Sequence, residues 1–309
     1  MKKKIAVFLL VTVCFVSCLE AQTYRRVIGW SDEVNEKLEG FLNSTLPMNI
    51  RKVSVFDCDG TTFGQVPYYL ADEALYQYAD EVLKQRNDQT SREKLKILER
   101  MVKNGDNVGK VYVEDRVHFL AGLTPGEIEM IGYNCYRKAY QGKFYPEMKQ
   151  LIANLKEYGF EVWILTASPE LLYQKFVAEE FGISNINVVG AKCVISNGTT
   201  TGEIIPPIPQ DDGKASSIET FIKAPPLIVG GNSRGDMDML NESTGLKIVV
   251  NPDDITVRGP EDGPMSGETV KSYWEKEGAL IVKCNDVADP AVKFHTDDWK
   301  IKKNKSNPK

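Results

Sequence analysis

Short apolar runs bounded by glycine, proline or polar turns recur along the chain, and they predict buried strands. The first run, Val53–Phe56, is rich in β-branched residues. Further strands are predicted at Phe160–Leu165, Asn187–Gly190, Leu227–Gly230 and Leu246–Val250, and a β-hairpin at Lys192–Ile205 around Asn197-Gly198. Helical patterns alternate with these runs. The order of elements therefore predicts an α/β fold with a doubly wound, Rossmann-like parallel sheet.

Helical periodicity fills the stretch between the first two predicted strands, residues 64–142. Its apolar stripes predict four helices, and Thr124–Glu127 has the pattern of a capping box that starts the last one. Four helices are too many for a simple crossover, so we interpret this stretch as an inserted helical cap. A tyrosine cluster there either packs inside the cap or lines a substrate pocket: Tyr68, Tyr69, Tyr76 and Tyr78.

The first 22 residues have the pattern of a signal peptide. Three lysines precede an apolar run, Ile5–Val16, that is too short to span a bilayer comfortably. Cys18 follows Ser17 in a context similar to a lipoprotein cleavage site, whereas cleavage after Ala21 would release a soluble product. We therefore expect an exported protein, periplasmic or anchored in a bacterial envelope through a lipid on Cys18.

The assignments of the signal peptide and of the cap set the remaining domain boundaries. We expect an α/β core formed by residues 23–63 and 143–309, with an N-terminal extension that contains a helix capped near Ser31. The region after Arg258 is predicted to be irregular, and the basic tail Lys300–Lys309 to be disordered.

Charge and cysteine content exclude several classes of function. The chain has 38 basic and 43 acidic residues, and cleavage before Cys18, which removes three lysines, would move its net charge from −5 to −8. A phosphate-backbone partner such as nucleic acid is therefore disfavoured. The cysteines beyond the signal are dispersed without zinc-ligand spacing, which favours single buried thiols: Cys58, Cys135, Cys193 and Cys284. Neither histidine, His118 nor His295, neighbours a plausible nucleophile.

Candidate chemistry begins at the end of the first strand, in Asp57-Cys58-Asp59-Gly60-Thr61. Asp57 and Asp59 are two residues apart, so in extended backbone they project to the same side. Two close carboxylates repel each other unless a cation lies between them, and Mg²⁺ is a common solution. An ordinary strand-to-turn exit is the alternative for this segment considered alone.

Three later strand ends carry similar polar groups. Thr166-Ala167-Ser168-Pro169 follows the second strand, with Ser168 as predicted N-cap, and such a helix N-terminus can bind an anion. Lys214 is predicted in the first turn of a helix, where acidic residues are usual. Asn232 and Asp236 follow the fourth strand. Since carboxyl ends of parallel strands share one sheet edge, we expect these groups to meet.

These motifs resemble those of the haloacid dehalogenase superfamily, in its phosphoserine-phosphatase-like branch with a helical cap. The resemblance covers roughly Lys52 to Asp254. It rests on Asp57-Cys58-Asp59-Gly60-Thr61, on Ile164–Glu170, and on Thr201-Gly202-Glu203-Ile204 ahead of Gly213-Lys214.

The resemblance implies a role for each candidate residue. Asp57 would attack phosphorus and form an aspartyl-phosphate, while Asp59 would act as general acid and then general base. Thr166 and Lys214 would complete the catalytic set, and the phosphate-binding groups would be Gly60, Thr61, Thr166, Ala167 and Lys214. Mg²⁺ would be held by Asp57, Asp59, Asn232 and Asp236.

One position departs from this branch, whose fourth motif usually reads Gly-Asp-Ser-x-x-Asp. Asn232 replaces the first of those aspartates, and Asp236 matches the second. Asparagine can ligate through its amide oxygen, but the site loses a negative charge, so weaker Mg²⁺ binding is expected unless Asp236 compensates.

The resulting hypothesis is an exported, Mg²⁺-dependent hydrolase of small phosphomonoesters. A phosphotransferase or mutase of the same superfamily is one alternative, because only the acceptor differs. A non-catalytic binding lipoprotein that retains the fold is the other, although retention of Asp57, Asp59, Thr166 and Lys214 argues against it.

Overall fold

A computed structural model describes residues 22–104, 109–254 and 260–306 of the chain. The predicted signal peptide and the candidate lipid-anchor cysteine lie outside these residues, apart from the last position of the signal. Within the described ranges, no helix is long and apolar enough to cross a membrane.

A seven-stranded sheet forms the centre of the described structure, in the order β4-β3-β2-β1-β5-β6-β7. Its strands are β1 Val53–Asp57, β2 Glu161–Pro169, β3 Val188–Ser196, β4 Thr199–Ile205, β5 Ile228–Gly231, β6 Leu246–Val250 and β7 Leu280–Val282. All neighbours are parallel except β3 and β4, which form the predicted hairpin at Asn197-Gly198. Both turn residues have positive φ, as this type of tight hairpin turn requires. The predicted α/β fold is thereby confirmed.

Helices cover both faces of the sheet and form the cap. They are α1 Asp32–Thr45, α2 Leu70–Glu81, α3 Gln89–Asn104, α4 Lys110–Leu120, α5 Pro125–Cys135, α6 Pro146–Glu157, α7 Glu170–Phe181, α8 Asp212–Ser217, α9 Met237–Asn241 and α10 Val270–Lys276. The predicted caps form: Ser31 accepts from Val34 N at the start of α1, and Thr124 forms a capping box with Glu127 at α5. Helices α2–α5 lie between β1 and β2, as predicted, while the boundaries drawn at residues 64 and 142 stay a prediction.

Strand β1 is buried along its whole length, because the sheet continues on both sides and helices cover both faces. Phe56 packs on one face with α1, α6 and the cap, whereas Val53 and Val55 pack on the other with Trp274 of α10. The apolar run read from the sequence is therefore the central strand, and its carboxyl end lies at the middle of the sheet edge.

Cap and core are in direct contact at Gly132 of α5. A Cβ atom at this position would lie 1.9 Å from the carbonyl oxygen of Leu172 in α7. Only glycine allows the two helices to approach so closely, and this contact fixes the cap beside the strand ends.

Several predictions about local structure are wrong. Strand β2 continues to Pro169, because Pro169 pairs with Ala191 of β3, so α7 begins at Glu170 and Ser168 is no N-cap. The predicted strand Asn187–Gly190 is the beginning of one longer strand that continues into the hairpin. The region after Arg258 is also more regular than predicted, since it contains α10 and β7.

The C-terminal tail is ordered as far as Ser306, the last residue described. Asn304 donates hydrogen bonds to the carbonyl oxygens of Pro67 (2.8 Å, backbone N) and Gln65 (2.8 Å, Nδ2), and Ile301 packs against the core. The prediction of disorder from composition is therefore wrong for this part. Cys58, Cys135, Cys193 and Cys284 are free thiols, as predicted, and Cys193 alone of the four is only partly buried.

Candidate active site

Asp57 and Asp59 face one cleft at the carboxyl end of the central strand. Cys58 lies between them in sequence, is fully buried, and points into the core on the opposite side. The chain then turns tightly: the amides of Thr61, Thr62 and Phe63 all donate to the Cys58 carbonyl oxygen (2.9–3.2 Å). This turn leaves both carboxylates at the edge of the sheet where the parallel strands end, as the sequence predicts.

Gly60 allows that turn and brings another motif close to it. Its φ is +88°, and a Cβ atom there would lie 2.2 Å from Nδ2 of Asn232 and 2.9 Å from Cδ of Gln65. The side chains of Asn232 and Gln65 therefore lie directly over Gly60. Thr61 is fully buried and donates to Asp57 Oδ2 (3.0 Å) and to Asn232 Oδ1 (3.4 Å).

Lys214 lies between two buried carboxylates. Its Nζ donates to Asp57 Oδ1 at 2.6 Å and to Asp236 Oδ1. The first turn of α8 projects this side chain into the site, which explains a lysine where acidic residues are usual. Lys214 thus neutralises part of the negative charge next to Asp57.

Asp236 organises the loop after β5. Its Oδ2 accepts from the backbone amides of Asn232 and Ser233, both at 2.9 Å, and the side chain is fully buried. Both oxygens therefore have protein donors. The role of Asp236 as a metal ligand stays a prediction, and in this structure Asp236 orients Lys214 and the backbone of Asn232.

Asp59 is held by two hydroxyl groups. Tyr173 of α7 donates to its Oδ1 at 2.9 Å, and Thr166 of β2 donates to its Oδ2 at 3.3 Å. Thr166 lies where the register between β2 and β3 shifts, so its side chain turns into the cleft together with Ala167. The predicted second motif therefore contacts the predicted general acid.

Burial determines the acidity of these carboxyl groups. It raises the pKa of Asp57 to about 7 against the opposing charge of Lys214, while Asp236 raises it further. Burial also raises the pKa of Asp59 to about 6, although Tyr173, Arg116 and Thr166 oppose the shift. For Asp236 burial acts in the same direction, but Lys214 and the two loop amides hold its pKa below the usual range. A partly protonated Asp59 near neutral pH suits a general acid.

The oxygen atoms around Asp57 fit a hard cation such as Mg²⁺. The candidate donors are an Asp57 carboxylate oxygen, the Asp59 carbonyl oxygen and Asn232 Oδ1. No hydrogen bond among the described residues ends on the Asp59 carbonyl, because the neighbouring amides converge on Cys58. Among the described residues, no group of three or more His, Cys, Asp or Glu side chains is arranged to hold a metal. A metal here would therefore use a carbonyl, an amide and water in addition to Asp57.

The cleft also contains residues that the sequence patterns did not single out. It has about 580 Å³ of empty volume, measured out to open solvent, and is lined by Asp57, Asp59, Gln65, Tyr69, Thr166, Ala167, Gln210, Lys214, Asn232, Ser233 and Gly235. Of the four clustered tyrosines only Tyr69 lines it, whereas Tyr68 and Tyr76 are buried in the core. Gln65 lies four residues after the first motif, and Tyr173 lies three residues after the second, so their positions near the motifs were visible in the sequence.

Comparison with solved structures finds the same fold in distant proteins from Anaerococcus prevotii and Bordetella pertussis. A conserved functionally unknown protein from Anaerococcus prevotii DSM 20548 is 16% identical over 84% of this chain and 94% of that chain, with a TM-score of 0.59. A protein of unknown function from Bordetella pertussis Tohama I is 16% identical over 76% and 99%, with a TM-score of 0.56. A probable phosphoserine phosphatase from Vibrio cholerae is 15% identical over 71% and 61%, with a TM-score of 0.44. No curated protein sequence matches this chain.

The family comparison covers the part of the chain that builds the cleft. Residues 55–241, more than half of the 309 residues, match the haloacid dehalogenase-like hydrolase family. This range begins inside β1 and ends with α9, so it contains each strand end described above. The resemblance inferred from the motifs is confirmed. The chain is therefore an enzyme of the haloacid dehalogenase-like hydrolase family.

Proposed function

We propose that this enzyme hydrolyses phosphate monoesters of small molecules through a covalent aspartyl-phosphate. The observation that carries the proposal is the pairing of two carboxylates in one cleft with different partners. Asp57 is bonded to the cation of Lys214, whereas Asp59 is bonded to neutral hydroxyl groups. Lys214 lowers the pKa of Asp57 against the effect of burial and so favours the anion that attack requires, while burial raises the pKa of Asp59 towards the protonated form that a general acid needs.

In the first step an Asp57 oxygen forms a bond to phosphorus while the bond from phosphorus to the ester oxygen breaks. Asp59 transfers its proton to the departing oxygen, so that an alcohol leaves rather than an alkoxide. Lys214 and the hydroxyl of Thr166 stabilise the charge on the transferring group, since both border the same cleft.

In the second step Asp59, now a carboxylate, accepts a proton from water. The water oxygen bonds to phosphorus, the bond to Asp57 breaks, and phosphate and the Asp57 carboxylate are released. Mg²⁺ would be held by Asp57, the Asp59 carbonyl and Asn232, and when bound it would offset the repulsion between the carboxylates and phosphate.

The site of action belongs to the same proposal. The N-terminal lysines and apolar run support export, with Cys18 as a lipid anchor or with release after Ala21. An exported phosphatase would scavenge phosphate from small esters outside the cytoplasm.

Hydrolysis of an aryl phosphate, with Mg²⁺ and with chelator, tests the proposal. We expect Mg²⁺-dependent turnover that is lost in Asp57→Asn, because this substitution preserves shape and removes the nucleophile. Asp298→Asn is the matched control, since Asp298 is exposed and distant in sequence from the motifs. Turnover by Asp57→Asn equal to that of the parent would contradict the mechanism, and trapping of labelled phosphate on Asp57 would support it.

A further inference from the structure

The chain passes between core and cap twice, and the C-terminal segment contacts both passages. Residues 64–69 lead from the first motif into α2, and residues 141–145 lead from the cap back to α6. The segment after β7, residues 283–306, runs across these two linkers. We name it the strap.

Asp286 of the strap joins the two linkers to each other. It is fully buried, and its Oδ2 accepts from the backbone amide of Gln65 at 2.9 Å, while its Oδ1 accepts from Lys143 Nζ at 2.5 Å. Lys143 also donates to the carbonyl oxygen of Val287 (2.8 Å). The approach is close because Gly64 has no side chain: a Cβ atom there would lie 2.6 Å from Asp286 Oδ1.

Asn304 holds the other side of the same linker. Its Nδ2 donates to the carbonyl oxygen of Gln65, and its backbone amide donates to that of Pro67, both at 2.8 Å. The Gln65 backbone is therefore bonded to the strap through both its amide and its carbonyl group. Tyr68 adds a hydrogen bond to Asp297 Oδ1 at 2.7 Å.

The residue held in this way belongs to the catalytic cleft. The Gln65 side chain lines the cleft beside Tyr69 and lies over Gly60 next to the amide of Asn232. A carboxamide there can donate a hydrogen bond to a phosphate oxygen or to a polar group of the leaving alcohol. The strap, which follows the family-matched range, is thus hydrogen-bonded to the backbone of a residue that lines the cleft.

We propose that Gln65 contacts the bound substrate and that Asp286 and Asn304 are positioning residues that hold it there. This inference rests on the proposed function for its kinetic test, but not for its structural one. Gln65, which lies in the linker between the first motif and α2, would then be a determinant of specificity, and the strap would hold it in place. A displaced contacting group binds the substrate less well, so the strap should influence KM without contacting substrate itself.

Asn304→Ala is the informative change, because Asp286 is fully buried and its replacement risks unfolding. The alanine variant keeps the backbone bond from residue 304 to Pro67 and removes only the bond to Gln65. Lys305→Ala is the matched control at the next, exposed position. The structural readout is deuterium exchange of the peptide that contains Gln65. We expect faster exchange in Asn304→Ala and unchanged exchange in Lys305→Ala.

The kinetic readout is a double-mutant cycle with Gln65→Ala, assayed on an aryl phosphate with Mg²⁺. We expect each single substitution to lower kcat/KM by about tenfold, mainly through KM, and the double variant to lose little more. Full additivity would overturn the positioning role, as would unchanged exchange in Asn304→Ala. The exchange measurement needs no turnover, so it decides the strap contact even where the parent hydrolyses no phosphate ester.

Discussion

The protein contains two buried clusters of charge, one in the core and one in the cap, and they differ in composition. In the core, the single cation of Lys214 serves two carboxylates, Asp57 and Asp236. In the cap, Arg116 of α4 pairs with Asp72 of α2 through two hydrogen bonds, Nη2 at 2.8 Å and Nε at 2.9 Å. The core cluster therefore has an excess of negative charge, whereas this cap pair is balanced.

The surroundings of the two clusters also differ, because the cap pair is enclosed whereas the core cluster is open to the cleft. The Arg116 guanidinium lies 5.8 and 4.8 Å from the ring centroids of Tyr69 and Tyr112, and both Arg116 and Asp72 are buried, so solvent has little access to the pair. The core cluster opens to the cleft at Asp57. A closed, balanced pair ties two cap helices together, while an open, unbalanced cluster can take up a cation and a phosphate. In this protein, burial alone therefore does not distinguish structural charges from functional ones, whereas net charge and access to the cleft do.

The largest effect should follow from breaking the closed pair. Arg116→Met leaves Asp72 buried without its cation, which should lower the free energy of unfolding by about 3–5 kcal/mol. The double variant Arg116→Met, Asp72→Leu removes both charges and should recover most of that loss. Urea unfolding monitored by circular dichroism measures both values. A single variant as stable as the parent would show that the pair does not hold the cap.

A smaller effect should follow from adding charge to the open cluster. Asn232→Asp restores the carboxylate that related enzymes have at this position and should lower the dissociation constant for Mg²⁺ by about tenfold, since ligand charge sets affinity. Isothermal titration calorimetry measures the change. Asn134→Asp, at an exposed cap position, is the control of equal charge. Equal affinity in both variants would exclude Asn232 from the metal shell.

The smallest effect concerns pH in the presence of chelator. The pKa of Asp59 is raised to about 6 in the folded protein by burial, above its value of about 3.9 in an unfolded chain. The folded state therefore binds more protons between these values, and this contribution to stability is present at low pH and lost as pH rises through about 6. Asp59→Asn should flatten the dependence of Tm on pH between about 4 and 7. An unchanged slope in this variant would contradict the assignment.

The sequence predicted those parts of the site that are encoded locally. Asp57 and Asp59 share a turn that their own neighbours form, and Lys214 lies in a helix whose start is visible in Asp212-Gly213. Since Asp57, Thr166 and Asn232 lie at the ends of parallel strands of one sheet, their convergence could be deduced without coordinates. Lys214 follows the antiparallel strand β4, so this argument does not place it.

The features that could not be predicted from the sequence depend on contacts between distant segments. Serine is a common N-cap residue, but Pro169 pairs with Ala191 of β3, so strand β2 continues through Ser168. Strand β7 has three residues, too few for a periodic pattern, and it forms because β6 offers a free edge. The polar tail is ordered because Asn304 finds partners at Gln65 and Pro67, and composition does not report such partners.

The central position of β1 also affects how the enzyme folds. Val53 pairs with Glu161, and Ser54 pairs with Ile228, so the strand that bears the nucleophile gains its neighbours only after long loops have closed. Such distant pairings slow folding, and the contact between Asp57 and Lys214 itself spans 157 residues. Catalytic competence should therefore arise late and in a single cooperative step, with the completed sheet rather than with any fragment of it.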